Sequence, residues 1–462
     1  MRTFPERLKT LHSATPERVA VYLQFPNRED LPVTYDRLLH GAAAYARTLE
    51  REGIQPGEVT ILILQHGEDL IYSFWGAILH GAIPSIMPFL TEKLSPERYR
   101  ADLSALISVT KPAAIITYPE FEAEVRGALQ EGDSVRSLIV TNQVEIQPDI
   151  DFEALQGFQQ ALEDVVLLQH SSGTTGLQKG VALSHQAVFN QLNAYSKALS
   201  MTEQDVVVSW LPLYHDMGLI AGFILPVLSG TPLVLMSPFD WVRAPYKLLQ
   251  SISTYSGTLM WLPNFAYNFC AQKIRDRHIE GVDLSSLRAV INCSEPVRWE
   301  SHVAFYERFK GYGLSLEALQ TSYAMAENVF CVTQSPLGRV PVVEEIDREA
   351  FMVERVAKSP FGERPSMRMM SSGQPLENVT VRVLDENGNE APERVIGELA
   401  LQSDCMLTGY FNRPDLTDKA FHDGWYLTGD YGYISNGEVF VSGRKKDMII
   451  VGGKNIYPQD LE

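Results

Sequence analysis

Residues 165–183 read VVLLQHSSGTTGLQKGVAL, two apolar runs (Val165 to Leu168 and Val181 to Leu183) joined by a loop of Ser, Gly, Thr and Lys. A loop of this composition can wrap a phosphate chain. Gly173 and Gly176 let backbone N–H groups approach an anion closely, the hydroxyls of Ser171, Ser172, Thr174 and Thr175 donate further hydrogen bonds, and Lys179 adds positive charge. It is not a Walker A loop, because no Ser or Thr follows a Gly-Lys pair, and Gly453-Lys454 is followed by Asn455. A Ser/Thr/Gly cluster is equally at home in a solvated turn, so its meaning depends on what surrounds it.

On its N-terminal side the chain alternates helix-like and strand-like segments. Tyr35 to Gly53 has helical spacing and ends in Gly, and Val59 to Leu64 (VTILIL) is an unbroken apolar run of strand length. Leu70 to His80 reads as helix, Ala82 to Pro88 as strand, and Ala113 to Thr117 and Ser137 to Val140 repeat the pattern. Parallel strands buried on both faces look like this. A second set follows: Val206 to Trp210, Thr231 to Leu235, Thr258 to Trp261 and Ala289 to Ile291. From about Thr380 the strands shorten (Val379 to Leu384, Gly397 to Leu401, Glu438 to Ser442) and Asn-Gly, Pro and Asp-Gly turns separate them. The expectation is an α/β protein: a first α/β subdomain over 1–190, a second over 191–335, a small β-rich, barrel-like subdomain over 336–446, and a hinge with the start of a further domain over 447–462.

Composition narrows the function. The 462 residues carry 39 Lys plus Arg against 57 Asp plus Glu, a net charge of -18. That argues against nucleic acid and anionic membranes as partners, but not against a small anion held by local donors. Cys270, Cys293, Cys331 and Cys405 form no CxxC pair and read as small buried hydrophobes in a reducing, cytoplasmic setting. The start MRTFPERLKTLHS has no signal core, and the greasiest stretch, Ile71 to Leu90, contains His80 and two prolines, so it reads as helix and strand rather than a membrane span.

Six further segments stand out: LPLYHDMG (211–218), SEPVR (294–298), YAMAEN (323–328), YLTGD (426–430), GRKKD (443–447) and GGKNIYPQDLE (452–462). Singly, each has an ordinary reading. A His beside a Tyr is usually a core residue, TGD a turn, GRKKD a solvated charge run, and SEPVR a helix start with Ser294 as N-cap and Pro296 in the first turn. In this order, together with the loop, they resemble the adenylate-forming superfamily of acyl-CoA synthetases, peptide-synthetase adenylation domains and luciferases. The wording LPLYHDMGL, PNFAYNFC (263–270), NCSEPVR and YPQDLE is most similar to fatty acyl-AMP ligases. From Glu327 to Gly373 there are 46 positions, and the segment of roughly 340–368, charged with a helical pattern (EEIDREAFMVERVAK), matches the position of the insertion that marks acyl-AMP ligases. The alternative is a plain surface loop.

The resemblance implies a reaction and a site. A fatty carboxylate would attack the α-phosphorus of ATP, pyrophosphate would leave, and acyl-AMP would remain, with Mg²⁺ and fixed donors stabilising the charge. Ser171 to Lys179 would cradle the β- and γ-phosphates, with Thr174 and Thr175 as principal hydroxyl donors and Thr175 beside the metal. Glu327 would hold Mg²⁺. Tyr323, Ala324 and Met325 would lie along one side of the adenine, and Ser294, Glu295 and Pro296 along the other. Asp430 would accept from the ribose hydroxyls, Arg444 would contact the sugar or phosphate, and His215 would orient the reacting carboxylate. Ala324 stands where most of the superfamily carries Gly. Trp261, Phe265, Tyr267, Phe269, Met236 and Phe239 could line an acyl tunnel or simply fill the core.

The partners implied are a fatty acid and the phosphopantetheine of an acyl carrier protein, free or within a polyketide or peptide synthase. Family members continue into a mobile C-terminal domain bearing a lysine that contacts the carboxylate and α-phosphate. That lysine has no counterpart before Glu462, and Lys454 lies in the motif just after the hinge. This chain is therefore expected to be a piece of a longer enzyme that binds acyl-adenylate but adenylates slowly. An acyl-CoA synthetase and a non-catalytic acyl-adenylate-binding module remain the alternatives.

Overall fold

The computed structural model describes residues 2–90, 95–146, 150–170, 179–362 and 364–447 in full, and the backbone of 449–451 and 454–456. The chain divides into two compact units. One comprises 1–189, 209–240 and 407–414, the other 190–208, 241–406 and 415–462.

The first unit holds the apolar runs read as parallel strands. Ile83–Ile86, Val59–Ile63, Ala114–Thr117 and Ser137–Val140 lie side by side in that order, each pair parallel. Val59–Ile63 is buried at every position, which explains why it shows no alternation. Helices Tyr35–Arg51 and Glu68–His80 belong to the same unit. They approach so closely that a Cβ at Gly41 would lie 2.5 Å from the Tyr72 ring, and one at Gly76 would lie 2.5 Å from the Ala42 carbonyl. Small residues at both contacts permit the approach. Val165–His170 and Gly180–Ser184 pair antiparallel, so the phosphate-loop sequence joins the arms of a hairpin. A third strand, Gly409–Tyr410, adds to Gly180–Ser184.

In the second unit Leu259–Leu262, Ala289–Asn292 and Leu319–Ala324 run parallel, and Cys331–Gln334 and Gln374–Pro375 continue antiparallel. A five-stranded antiparallel sheet follows: Val379–Leu384, Gly397–Ser403, Trp425–Ser435, Phe421–His422 and, against Trp425–Ser435, Glu438–Arg444. The fold class is the expected one, parallel α/β sheets with a small β-rich sheet.

Three local readings change. SEPVR is not a helix start: the helix begins at Trp299 with Arg298 at its N-cap. TGD is not an ordinary turn but lies within the strand Trp425–Ser435. The segment read as helical is a hairpin of Val343–Asp347 and Ser366–Met370 with a single π turn at Ala350–Glu354. Among the described residues no helix is long and apolar enough to cross a membrane. All four cysteines are buried and reduced.

Candidate active site

In the second unit the structure brings together residues from two motifs far apart in sequence. Tyr323 lies near the end of strand Leu319–Ala324, and Asp430 lies in the strand Trp425–Ser435. The Tyr323 hydroxyl donates to Asp430 Oδ2 at 2.5 Å. Burial pushes the Asp430 carboxyl above the usual carboxylate range, against the opposing effects of the Tyr323 hydroxyl and the Arg444 guanidinium. Burial likewise drives the Tyr323 phenol upward, so it stays a neutral donor. Arg444 Nε is 3.9 Å from Asp430 Oδ1, and the two residues are cross-strand partners. Glu327 is near enough to act electrostatically on both Asp430 and Tyr323.

The local chain path explains how Asp430 reaches this place. Leu427 pairs with Ala400 and Tyr431 with Glu398, so Thr428, Gly429 and Asp430 together face only Leu399. The strand therefore bulges. Gly429 takes φ 72°, a left-handed value that glycine adopts without a Cβ clash. Thr428 Oγ1 donates to the Leu399 carbonyl at 2.8 Å and accepts from the Asp430 N–H at 3.0 Å. TGD is thus one device: Thr pins the bulge, Gly bends it and Asp projects from it.

A second strained feature adjoins Glu327. Val329 has φ 62° and ψ −56°, and the Phe330 N–H donates to the Asn328 carbonyl at 2.6 Å. This is a γ-turn centred on a β-branched residue, a sparsely populated conformation that costs about 1–3 kcal/mol. Val329 and Phe330 are fully buried, and their packing holds the turn. Asn328 Nδ2 donates to the Cys331 carbonyl at 2.9 Å and Asn328 Oδ1 accepts from Ser403. Ala324 and Met325 precede the turn, and the Met325 N–H donates back to the Phe330 carbonyl at 2.8 Å.

Ser294 has φ 71° just beyond the strand Ala289–Asn292, and Ser294, Glu295 and Pro296 are exposed. Glu295 Oε2 accepts from the Phe265 N–H at 2.9 Å, in the first turn of helix Asn264–Lys273, where a carboxylate also meets the helix dipole. Of the aromatic residues named for an acyl tunnel, Trp261 and Tyr267 are core: their polar atoms bond the Tyr195 hydroxyl and the Val290 carbonyl. Phe265 is exposed, and both it and Phe269 pack on the Trp241 ring.

The first unit carries the remaining candidates. Ser171, Ser172, Gly173, Thr174, Thr175 and Gly176 lie outside the described residues. Lys179 follows them, its ammonium 4.7 Å from the centroid of the Tyr410 ring. His170, immediately before the loop, is buried, bonds Ser85 Oγ through Nε2 at 2.6 Å, and is pushed down to about 4 by desolvation. His215 is exposed, yet enough protein surrounds its imidazole for desolvation to lower its pKa. Asp216 leads into a π-helix, Met217–Ile224. A Cβ at Gly218 would lie 2.2 Å from the Pro212 carbonyl, so this glycine is what lets the LPLYHDMG turn fold back on itself. Met236 is buried, whereas Phe239 is exposed and packs on Phe89.

Among the described residues no group of three or more His, Cys, Asp and Glu could hold a metal ion by itself. Glu327, the carboxylate expected from the sequence to hold a metal, lies close to Asp430 and Tyr323.

Comparison with known proteins decides the family. A family model described as AMP-binding enzyme matches residues 9–411. The chain belongs to that family. Its members form adenylates, and the chain is similar throughout to proteins named for fatty acyl adenylation. It is 29% identical to the long-chain-fatty-acid–AMP ligase FadD26 of Mycobacterium marinum, over 100% of this chain and 82% of that one. It is also 29% identical to the medium-chain-fatty-acid–[acyl-carrier-protein] ligase JamA of Moorena producens, over 98% and 78%. Among solved structures, the fatty acyl-adenylate ligase of L. pneumophila in complex with acyl adenylate and pyrophosphate superposes with TM-score 0.87 at 29% identity, covering 100% of this chain and 80% of that chain.

Sequence reading missed Thr428, Val329 and Glu398. The last accepts from Lys445 Nζ at 2.8 Å beside the GRKKD segment. Thr428 carried a signal, since a hydroxyl two residues before a projecting Asp in TGD can accept that residue's N–H. Val329 carried none.

Proposed function

We propose that this chain catalyses fatty acid adenylation. A fatty carboxylate oxygen bonds to the α-phosphorus of ATP, the bond to the β-phosphate bridging oxygen breaks, and acyl-AMP and pyrophosphate form. The observation that carries this reading is the Tyr323–Asp430–Arg444 group with Glu327 beside it, the arrangement an adenosine phosphate calls for. The Tyr323 ring offers a flat face to adenine. Asp430 keeps Oδ1 as an acceptor for ribose hydroxyls while Oδ2 is held by Tyr323. Arg444 balances its charge. Magnesium, held by Glu327, would supply charge neutralisation at the phosphates.

For the first unit the resemblance supports assigning phosphate contact to Ser171–Gly176 and Lys179, and orientation of the carboxylate to His215. Its lowered pKa keeps this imidazole neutral at pH 7, suited to hydrogen bonding rather than to charge attraction. The product would pass to the phosphopantetheine thiol of an acyl carrier protein, a reading supported by the likeness to a carrier-protein ligase.

The test is direct. The protein is incubated with ATP, Mg²⁺ and fatty acids of graded length, and acyl-AMP is measured by mass spectrometry. Carrier protein or coenzyme A is then offered as acceptor. Acyl-AMP from fatty acids and transfer to carrier protein support the proposal. Adenylates formed only from amino or aryl acids would refute it, and acyl-CoA as the main product would replace the carrier-protein step.

A further inference from the structure

The paired strands Val343–Asp347 and Ser366–Met370 are fastened to the strand that carries Asp430, just beyond its bulge. Beyond the bulge, Tyr431 and Tyr433 pack in the cluster shared with the hairpin and Ser435 bonds Glu344, whereas Asp430 accepts from Tyr323. Ile346, Phe351, Ala357, Ile396, Tyr431, Tyr433 and Phe440 form one apolar cluster, so the hairpin and the strand share a core. A polar clamp lies at its edge. Glu344, its side chain 16% exposed, accepts three hydrogen bonds: from the Tyr433 hydroxyl at 3.0 Å, from Ser435 Oγ at 2.8 Å and from Arg394 at 2.8 Å. The same guanidinium donates to Ser435 Oγ at 2.9 Å and to the Ala357 carbonyl at 2.6 Å. Arg394 sits at φ 66°, and its own N–H donates to the Ile434 carbonyl at 2.9 Å. Nearer the bulge, the Arg355 guanidinium lies 4.9 Å from the centroid of the Tyr431 ring, next in sequence to Asp430.

We infer that Glu344, Arg394 and Tyr433 are positioning residues for Asp430, so that this hairpin sets how well the protein recognises a ribose diol. A bulge has lost ladder hydrogen bonds and can slide or flatten. Thr428 pins its inner side, and the clamp fixes the strand just beyond it. Burial of Glu344 among three donors also makes the clamp respond sharply to loss of one member, because the others are left unpaired. The inference rests on the assignment of Asp430 to the ribose.

The experiment compares binding of AMP and 2′,3′-dideoxy-AMP to the whole chain by calorimetry, for the parent and for Asp430→Asn, Tyr433→Phe, Glu344→Gln and Arg394→Lys. Asp430→Asn reports on the underlying assignment: it should reduce the AMP preference about tenfold. If it does not, the ribose reading fails, and the inference fails with it. If it does, Tyr433→Phe and Glu344→Gln should reduce the preference at least about threefold while weakening the dideoxy ligand little. Lys at 394 keeps the charge but not the fork, and should fall between parent and Glu344→Gln. An unchanged preference in folded clamp variants, or equal weakening of both ligands, overturns the positioning role. Tyr433→Phe retains the ring stacked on Phe440 at 4.7 Å, so it remains a usable probe if Glu344→Gln does not fold.

Discussion

Removing the hydroxyl of Tyr323 should change when Asp430 titrates rather than how tightly nucleotide binds at high pH. Tyr323→Phe keeps the ring that adenine would meet and deletes only the donor, which stands 2.5 Å from Asp430 Oδ2. A net hydrogen bond to a charged group is worth about 1.5–3 kcal/mol. At about 1.4 kcal/mol per pKa unit, its loss raises the Asp430 pKa by roughly one to two units. That pKa already lies above the ordinary carboxylate value because the group is buried. The ionised carboxylate is the form that accepts from a ribose diol, so nucleotide affinity falls as pH drops through this pKa. Calorimetric titration of AMP across pH 4.5–8.5 reads the midpoint directly. The variant should match the parent at the alkaline end and lose affinity at a midpoint about one to two units higher. An unmoved midpoint, or a uniform loss at every pH, would refute the role given to this hydrogen bond.

Glu327→Gln should lower Mg²⁺-dependent ATP turnover by about a hundredfold or more without weakening AMP binding, because the metal–phosphate contact is lost while removal of the Glu327 charge only favours ionised Asp430; equal losses for both would contradict the metal assignment. Val329→Gly relieves a strained φ, so by urea unfolding it should cost about 1–3 kcal/mol less than Val332→Gly, a fully buried valine in an ordinary strand; equal costs would remove the strain argument. Burial lowers His302 to about 3 and His170 and His185 to about 4, below their unfolded values. The unfolded chain therefore binds more protons between about pH 4 and 6.5, and this contribution to stability, complete above that window, is lost as pH falls through it, at about 1.4 kcal/mol per pH unit for each histidine. His302→Phe preserves stacking on Tyr267 at 4.9 Å and should reduce the slope of stability against pH by about that amount, whereas an unchanged slope would show that His302 does not contribute to acid lability.

The parallel strands were legible because burial on both faces leaves continuous apolar runs such as Val59–Ile63. Caps and turns were less so. SEPVR offers Ser and Pro at plausible cap positions, but Asn264 Oδ1 accepts the Arg298 N–H at 3.2 Å and the helix waits until Trp299. The strand Val343–Asp347 was hidden by its charge. Only Ile346 and Asp347 are buried in it, so no alternation appears, and Glu344 reads as solvated until its three donors are seen. Val329 could not be read at all, since a β-branched residue in a γ-turn contradicts local preference and is imposed by packing. The motif residues Tyr323 and Asp430 were legible as candidates, but their hydrogen bond, across 107 positions, belongs to the tertiary fold.

The measurement that bears most directly on fatty acyl adenylation is the thermal stability of this chain with non-hydrolysable acyl-adenylate analogues of increasing length. A ligand that binds only the folded state raises stability by RT ln(1 + [L]/Kd). The expected shift grows with fatty chain length and exceeds that of aminoacyl and aryl analogues at equal concentration. No shift with any fatty analogue, or a larger one with an aminoacyl analogue, would contradict it.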